Sequence, residues 1–138
     1  MGGPWVAAAV FCEKVLQEQD GVDTLVRIVD RITMVLQGEV PLPQVQLILL
    51  VILKSGFQRG TFELSVEGTA PSGVTMSPAQ VPVLLEGEDR GISVKTHLVF
   101  QPEEGLYWFD VKVDDVLLTR MPLRVIVQRV RLTGRQPS

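Results

Sequence analysis

The sequence predicts an all-β fold, in which about eight strands form two antiparallel sheets packed as a sandwich. The strongest sign is the stretch 107–113, where inward and outward side chains take turns at every second position. The inward set is Tyr107, Phe109, Val111 and Val113, and the outward set is Trp108, Asp110 and Lys112. A second sign is the recurrence of apolar runs and turn residues at spacings of roughly 8 to 12 residues through the second half of the chain.

The first strand is predicted over Trp5–Leu16, and the Asp20-Gly21 dipeptide after it is a turn signal. Val22–Leu36 follows, and its alternation and many β-branched residues favour a strand. A helix over Thr24–Leu36 stays open as an alternative, because several of its apolar residues recur at helical spacing.

The middle of the chain reads as a loop followed by three strands. Gly38–Pro43 holds a glycine and two prolines and is the predicted loop. Val45–Lys54 is apolar on both faces, as expected for a strand that is covered on both sides or that meets a partner chain. Thr61–Glu67 alternates cleanly, whereas Val81–Leu85 contains Pro82, which indicates an edge strand.

The last predicted strands are Gly91–Phe100 and the two halves of a hairpin around the Asp114-Asp115 turn. The returning half is predicted over Val116–Val127. Pro122 lies inside it, which indicates either an edge strand or a bulge.

The chain has 138 residues, 46 % of them apolar and 21 % charged, which is enough to bury a core and unlike a disordered protein. We predict a single domain over 1–128 and a loose basic tail over 129–138. The formal net charge of −3 argues against nucleic-acid binding, which depends on neutralising phosphates.

Two further observations bear on location. Trp5–Cys12 and Val45–Leu53 are both far shorter than the roughly 20 residues of a membrane-spanning helix, so we predict a soluble protein without a membrane contact. The single cysteine, Cys12, cannot form an internal disulfide, which makes the reducing cytoplasm the expected compartment.

Two stretches together resemble a family of uncharacterised bacterial proteins of unknown function. They are FCEKVLQEQDGVDTLVRIVDRITM at Phe11–Met34 and EGLYWFDVKVDDVLLTRMPLRVIV at Glu104–Val127. The residues that carry the resemblance are Cys12-Glu13, Asp20-Gly21 and the run Arg-Ile-Val-Asp-Arg at 27–31. The resemblance spans nearly the whole chain and implies a β-sandwich without an established activity, so no catalytic residue follows from it.

The segment Gly105–Phe109 is similar to the strand of immunoglobulin-like sandwiches that carries a tyrosine corner. In that motif the phenol hydroxyl bonds a nearby backbone group, which gives Tyr107 and its inward neighbour Phe109 a structural role. The predicted architecture is therefore an immunoglobulin-like or C2-like sandwich.

The sequence does not group the residues that catalysis needs. The only histidine, His97, falls on the outward face of its strand beside Lys95, and Cys12 lies beside Glu13, whose carboxylate would raise the thiol pKa. One cysteine and one histidine cannot build a zinc site, and no phosphate-binding glycine loop is present. We predict that the protein is not an enzyme and uses no cofactor.

Charged residues cluster in the first hairpin between apolar flanks. They are Glu13, Lys14, Arg27, Asp30 and Arg31. If these strands are half-buried, the charges must pair or carry a large desolvation cost. A structural ion-pair network and a polar recognition patch both fit this pattern.

Acidic turns suggest a calcium site as an alternative function. If the strands run alternately up and down, these turns meet at one end of the sandwich. The candidates are Asp20, Glu86, Glu88, Asp89, Asp114 and Asp115. Calcium takes six to eight oxygen ligands, and convergent loop carboxylates supply them in C2 domains. No D-x-D-x-D spacing is present, however, and the count fails if a connection crosses between the sheets.

The function that the sequence favours is a non-catalytic protein-interaction or structural module. Its partner would be another protein or a second copy of the chain, docked through Val45–Leu53 or through a sheet edge. A calcium-dependent C2-like domain is the alternative, and a small carboxylate enzyme has no residue spacing to support it.

Overall fold

The computed structural model describes residues 2–131 and confirms the all-β sandwich. Its strands are β1 (Trp5–Gln17), β2 (Asp23–Val29), β3 (Arg31–Gln37), β4 (Val45–Lys54), β5 (Arg59–Thr69), β6 (Ala79–Glu86), β7 (Gly91–Phe100), β8 (Gly105–Val113) and β9 (Val116–Val130). Residues 2–131 include no helix long and apolar enough to cross a membrane.

The strands form two sheets that enclose one hydrophobic core. Sheet A has four strands in the order β2-β1-β4-β7, and sheet B has five in the order β3-β9-β8-β5-β6. Neighbours are antiparallel except β3 and β9, which run parallel. The largest fully buried side chains come from alternate positions of both sheets and include Tyr107, Phe109, Leu49, Leu53, Leu64, Leu85 and Leu123.

The stretch predicted as one strand, Val22–Leu36, is two strands in two different sheets. β2 ends at Val29, the chain turns at Asp30, and β3 begins at Arg31 in sheet B. Val29 and Ile32 pack against the core from the two sheets, so apolar residues continue on both sides of the switch. The switch raises the strand count to nine and creates the parallel β3–β9 pair.

The apolar strand β4 is buried on its core face, and one residue of its outer face is buried as well. Leu49 and Val51 are fully buried toward the core, and Leu50, on the opposite face, is only 5 % exposed. β1 and β7 pair with β4 on its two edges from Ile48 to Lys54. That part of the predicted docking segment Val45–Leu53 therefore offers no edge to a second copy.

The two strand prolines occupy positions where a missing N–H is tolerated. Pro82 lies in β6, at the edge of sheet B, as predicted. β9 is an interior strand, but β3 pairs with it only from Arg124 onward, so Pro122 has a strand neighbour on one side alone. The bulge of this hairpin lies between Val111 and Lys112, away from Pro122.

β9 also extends past the predicted domain boundary at residue 128. Arg129 and Val130 belong to the strand, opposite Leu36 and Gln37 of β3. The Arg129 guanidinium donates hydrogen bonds of 2.8 Å to the carbonyl oxygens of Gly38 and Val40, which fixes the β3–β4 loop. Residues 132–138 of the predicted tail lie outside the described residues.

Tyr107 joins strand β8 to the loop before it. Its ring is 1 % exposed, and its centroid lies 5.0 Å from that of Phe100. The Tyr107 hydroxyl accepts a 2.8 Å hydrogen bond from the backbone N–H of Glu103, the geometry of a tyrosine corner. Burial raises the pKa of the Tyr107 hydroxyl above its ordinary value, and the hydrogen bond from Glu103 only partly offsets this effect.

We expect Tyr107→Phe to lower the free energy of unfolding by about 1–2 kcal/mol, because the Glu103 N–H loses its acceptor while the ring stays in the core. Urea unfolding followed by fluorescence measures this loss. Thr24→Val is the control: it removes an exposed 2.7 Å bond to Glu18, and we expect it to change stability by less than about 0.5 kcal/mol. A Tyr107→Phe variant as stable as the wild type would show that the corner contributes nothing.

Candidate functional site

An open cleft of about 470 Å³ lies between the two sheets where β1 separates from β4. The last β1–β4 pair is Cys12 with Ile48, and beyond it β1 pairs only with β2. Residues 44–47 of the β4 side therefore line the cleft without a β1 neighbour. Its lining combines buried or half-buried apolar residues with exposed polar and charged ones: Glu13, Arg27, Val29, Arg31, Ile32, Thr33, Met34, Gln44, Val45, Gln46 and Leu47.

The charged residues predicted from the first hairpin meet only in part. Glu13 and Arg27 form an ion pair, with 3.3 Å between Oε2 and Nε, and both side chains are well exposed. Arg31 lines the same cleft. Lys14, Asp30 and Arg31 form no ion pair within residues 2–131. The structure thus brings Glu13, Arg27 and Arg31 to one cleft and leaves Lys14 and Asp30 exposed on the surface.

Arg27 has a backbone conformation that side-chain-bearing residues rarely adopt, with φ of 56°. The ladder between β1 and β2 continues on either side, at Cys12 with Ile28 and at Lys14 with Val26. Strain of this kind costs about 1–3 kcal/mol and clusters at functional sites. It was not visible in the sequence, because arginine at this point of an alternating strand gives no sign of a left-handed residue.

The carboxylates predicted as a calcium site are not brought together. Within residues 2–131, no group of three or more acidic, histidine or cysteine residues is arranged to hold a metal ion. The 86–89 turn lies beside the end of β4, because Gly91 pairs with Lys54, whereas the hairpin that carries Asp20 leaves β4 after Cys12, opposite Ile48 and near the start of β4. The physical reason is that β1 runs antiparallel to β4, so the hairpin departs at the far end of β4 from the 86–89 turn.

Most of the other acidic candidates have structural partners. Asp89 accepts a 3.0 Å hydrogen bond from the indole of Trp5, and Glu86 and Glu88 lie 3.9 and 3.7 Å from Arg90. Asp114 continues the sheet, because it exchanges 2.9 Å hydrogen bonds with the backbone of Glu63. Asp114 and Asp115 both have positive φ, as the two-residue hairpin turn requires.

Cys12 and His97 lie on the same outer face of sheet A but do not touch. Cys12 pairs with Ile48, and Ile48 pairs with His97, so Ile48 stands between them. Burial raises the pKa of the Cys12 thiol, and a hydrogen bond from the backbone of Lys14 only partly opposes this shift. The thiol is fully buried. His97 is exposed, which agrees with the outward position predicted for it from the alternation of its strand.

The two sheets have four edge strands, and three of them are protected against pairing with another strand. β2 contains the left-handed Arg27, β6 contains Pro82, and β7 lies against β6 at a corner of the sandwich. β3 has no proline, no lysine and no left-handed residue. Its Val35 side chain is 60 % exposed, and one side of the cleft is built from its first residues. Among the strands of residues 2–131, β3 is therefore the open edge.

Comparison with known proteins gives a family and a fold. The model of a family of unknown function, DUF6941, matches residues 7–126. No curated protein matches the chain. The C-terminal domain of wzt is similar over 100 % of this chain and 85 % of that one, with 13 % identity and a TM-score of 0.54.

Two further solved structures have TM-scores of 0.45. One is a CARDB domain from Pyrococcus furiosus in complex with di-metal ions, at 12 % identity over 91 % of this chain and 93 % of that one. The other is an immunoglobulin-like protein from Pseudomonas aeruginosa, at 14 % identity over 88 % and 95 % of the two chains. At these identities the similarity concerns the fold alone.

Proposed function

The chain belongs to DUF6941, a family of unknown function, and we propose that it is a non-catalytic binding module that takes up an extended, acidic segment of a partner protein along β3. The observation that carries this proposal is the open β3 edge beside the cleft. An extended peptide can add to such an edge as a further strand, with main-chain hydrogen bonds supplying affinity and side-chain pockets supplying specificity.

The lining of the cleft supports both the extended form and the acidic character of the proposed segment. Val29, Met34 and Val45 are apolar lining residues, buried or half-buried, against which every second side chain of an added strand would pack. Two arginines stand at the rim, and Glu13 pairs with only one of them, Arg27. Arg31 has no acidic partner within residues 2–131, so the charge left at the rim is positive and favours a carboxylate on the segment.

The positions of the two most reactive side chains support a non-catalytic role. Nucleophilic catalysis needs a nucleophile within hydrogen-bond reach of a base. Cys12 is fully buried, and Ile48 separates it from His97. Within residues 2–131, neither side chain forms a hydrogen bond or ion pair with an acidic or basic side chain.

Selection from a displayed library of 12-residue peptides tests the proposal. We expect enriched peptides to combine β-branched residues with Asp or Glu, and their binding, measured by fluorescence anisotropy, to disappear in Val35→Lys, since an edge lysine blocks strand addition. Leu84→Lys is the matched control, because Leu84 lies on the other edge of sheet B and is exposed to a similar degree, 58 % against 60 % for Val35.

Two arginine variants test whether the site prefers acidic peptides. Arg31→Gln should weaken acidic peptides by about three- to tenfold, the loss expected for one partly exposed charge-assisted bond, whereas Arg59→Gln at the far end of sheet B should leave binding unchanged. Failure to enrich any peptide, or equal binding to Val35→Lys, would reject the edge as the site. A dimer in light scattering that Val35→Lys dissociates would identify a second copy as the occupant instead.

A further inference from the structure

The outer half of the β1–β2 hairpin, residues 14–26, does not lie where a flat sheet would put it. Lys95 is level with Val10 of β1, because both residues pair with Leu50 of β4. Asp23 is level with Gln17, its partner in β1, which lies seven residues further along that strand. In a flat sheet the strand from Val10 to Gln17 spans about 23 Å, and β2 and β7 lie about 14 Å apart. Yet Nζ of Lys95 lies 3.2 Å from Oδ1 of Asp23. The hairpin therefore folds back over the outer face of sheet A, to which Lys95 points.

The hairpin begins to fold back at a single position along its two strands. β1 leaves β4 after Cys12, and at the next position Arg27 takes its left-handed conformation opposite Glu13. The β1–β2 register passes over this position, pairing Cys12 with Ile28 and then Lys14 with Val26. Both strands of the hairpin thus bend at the same point, residues 13 and 27.

The folded-back part is weakly packed. No residue from Glu13 to Thr33 is buried, although the hairpin includes the apolar Val15, Leu25 and Val26. Segments with few buried contacts open at a much lower free energy than the core. Beneath it, Cys12 is completely closed to solvent and Leu50 is 5 % exposed, on a face that no third sheet covers.

From these observations we infer that residues 14–26 form a hinged flap, which bends at Glu13 and Arg27 and is held closed over Cys12 and Leu50 by the Asp23–Lys95 ion pair. Oδ1 of Asp23 is closed to solvent but has no partner with hydrogen-bond geometry, so its attachment is electrostatic and not directional. This inference does not depend on the proposed use of the β3 edge.

The single thiol, Cys12, reports whether the flap is open. In native buffer we expect the rate of Cys12 modification by DTNB to rise about tenfold in Lys95→Gln, since loss of a half-buried ion pair shifts the opening equilibrium by roughly that factor. Lys112→Gln is the matched control: Lys112 is exposed to nearly the same degree as Lys95, 30 % against 31 %, and its pair with Glu67 has a 3.6 Å separation, but this pair lies on sheet B. We expect the control to label like the wild type.

Two further measurements separate opening of the flap from unfolding of the whole chain. If Cys12 reacts through opening of the flap, its labelling rate should hardly change at low urea concentrations. Amide hydrogen exchange should be faster for residues 14–26 in Lys95→Gln than in the wild type, and unchanged for β8. The exchanged pair Asp23→Lys with Lys95→Asp should return labelling to the wild-type rate. The inference is overturned if Lys95→Gln labels no faster than Lys112→Gln, or if Cys12 reacts only with the urea dependence of global unfolding.

Discussion

Replacing Phe109 with alanine should lower the free energy of unfolding by about 3–5 kcal/mol, a large part of the stability of a small domain. Phe109 is completely buried on β8, at the centre of the core. Its ring centroid lies 5.4 Å from that of Phe11 in sheet A and 6.1 Å from that of Phe100. The truncation removes these aromatic contacts and leaves a cavity that both sheets border, so the core cannot close over it by a small local shift.

Equilibrium unfolding in guanidinium chloride measures this loss, and Phe57→Ala supplies the comparison. Phe57 is the same residue type but is 79 % exposed in the β4–β5 turn, so we expect its truncation to cost less than about 0.5 kcal/mol. If the two variants lose similar stability, the interior assigned to Phe109 is wrong. If Phe109→Ala does not fold, Phe109→Leu gives the same ranking with a smaller loss.

Adding one methyl group at Gly68 should cost about 1–3 kcal/mol, because the core has no space for it. Gly68 is buried on β5 directly opposite Phe109 of β8. A Cβ at this position would lie 2.8 Å from Cε1 of Phe109, and Cε of Met76 would be closer still. The Met76 end can move away, but the Phe109 ring is fixed between the sheets, so the strain falls on the aromatic cluster.

Thermal and urea unfolding of Gly68→Ala test this expectation against Gly3→Ala, where nothing lies within 4 Å of the added Cβ. Combining Gly68→Ala with Phe109→Leu should cost less than the sum of the two single changes, since the smaller side chain makes room for the methyl group. Strict additivity would mean that Gly68 and Phe109 do not compete for the same space.

Strands whose two faces differ could be predicted from the sequence. In β7 and β8, apolar and polar residues alternate so strictly that the alternation predicts both the strand and the face that points to the core. Tyr107 and Phe109 of β8 were predicted to point inward in this way. Pro82 predicted an edge because a missing N–H excludes a residue from the middle of a ladder. These features depend on local geometry, which the sequence records directly.

The sheet change at Asp30 and the fold-back of the first hairpin could not be predicted in this way. Alternation continues across Asp30 without a glycine or proline, since both sheets bury apolar residues against the same core. The cleft could be anticipated only as a cluster of charges. Its shape depends on where β1 leaves β4, and the Asp23–Lys95 contact joins residues that are far apart in the sequence.

The parallel pairing of β3 with β9 has a consequence for the order of events during synthesis. β3 precedes β4 to β8 in the chain, but its one hydrogen-bonded strand neighbour within residues 2–131 is β9. On the ribosome, β3 therefore emerges with both of its edges vacant and waits until the five strands between it and β9 have been made. Closing so long a loop is entropically costly and slow. A nascent chain is thus most exposed to chaperones and to misassembly at this one strand.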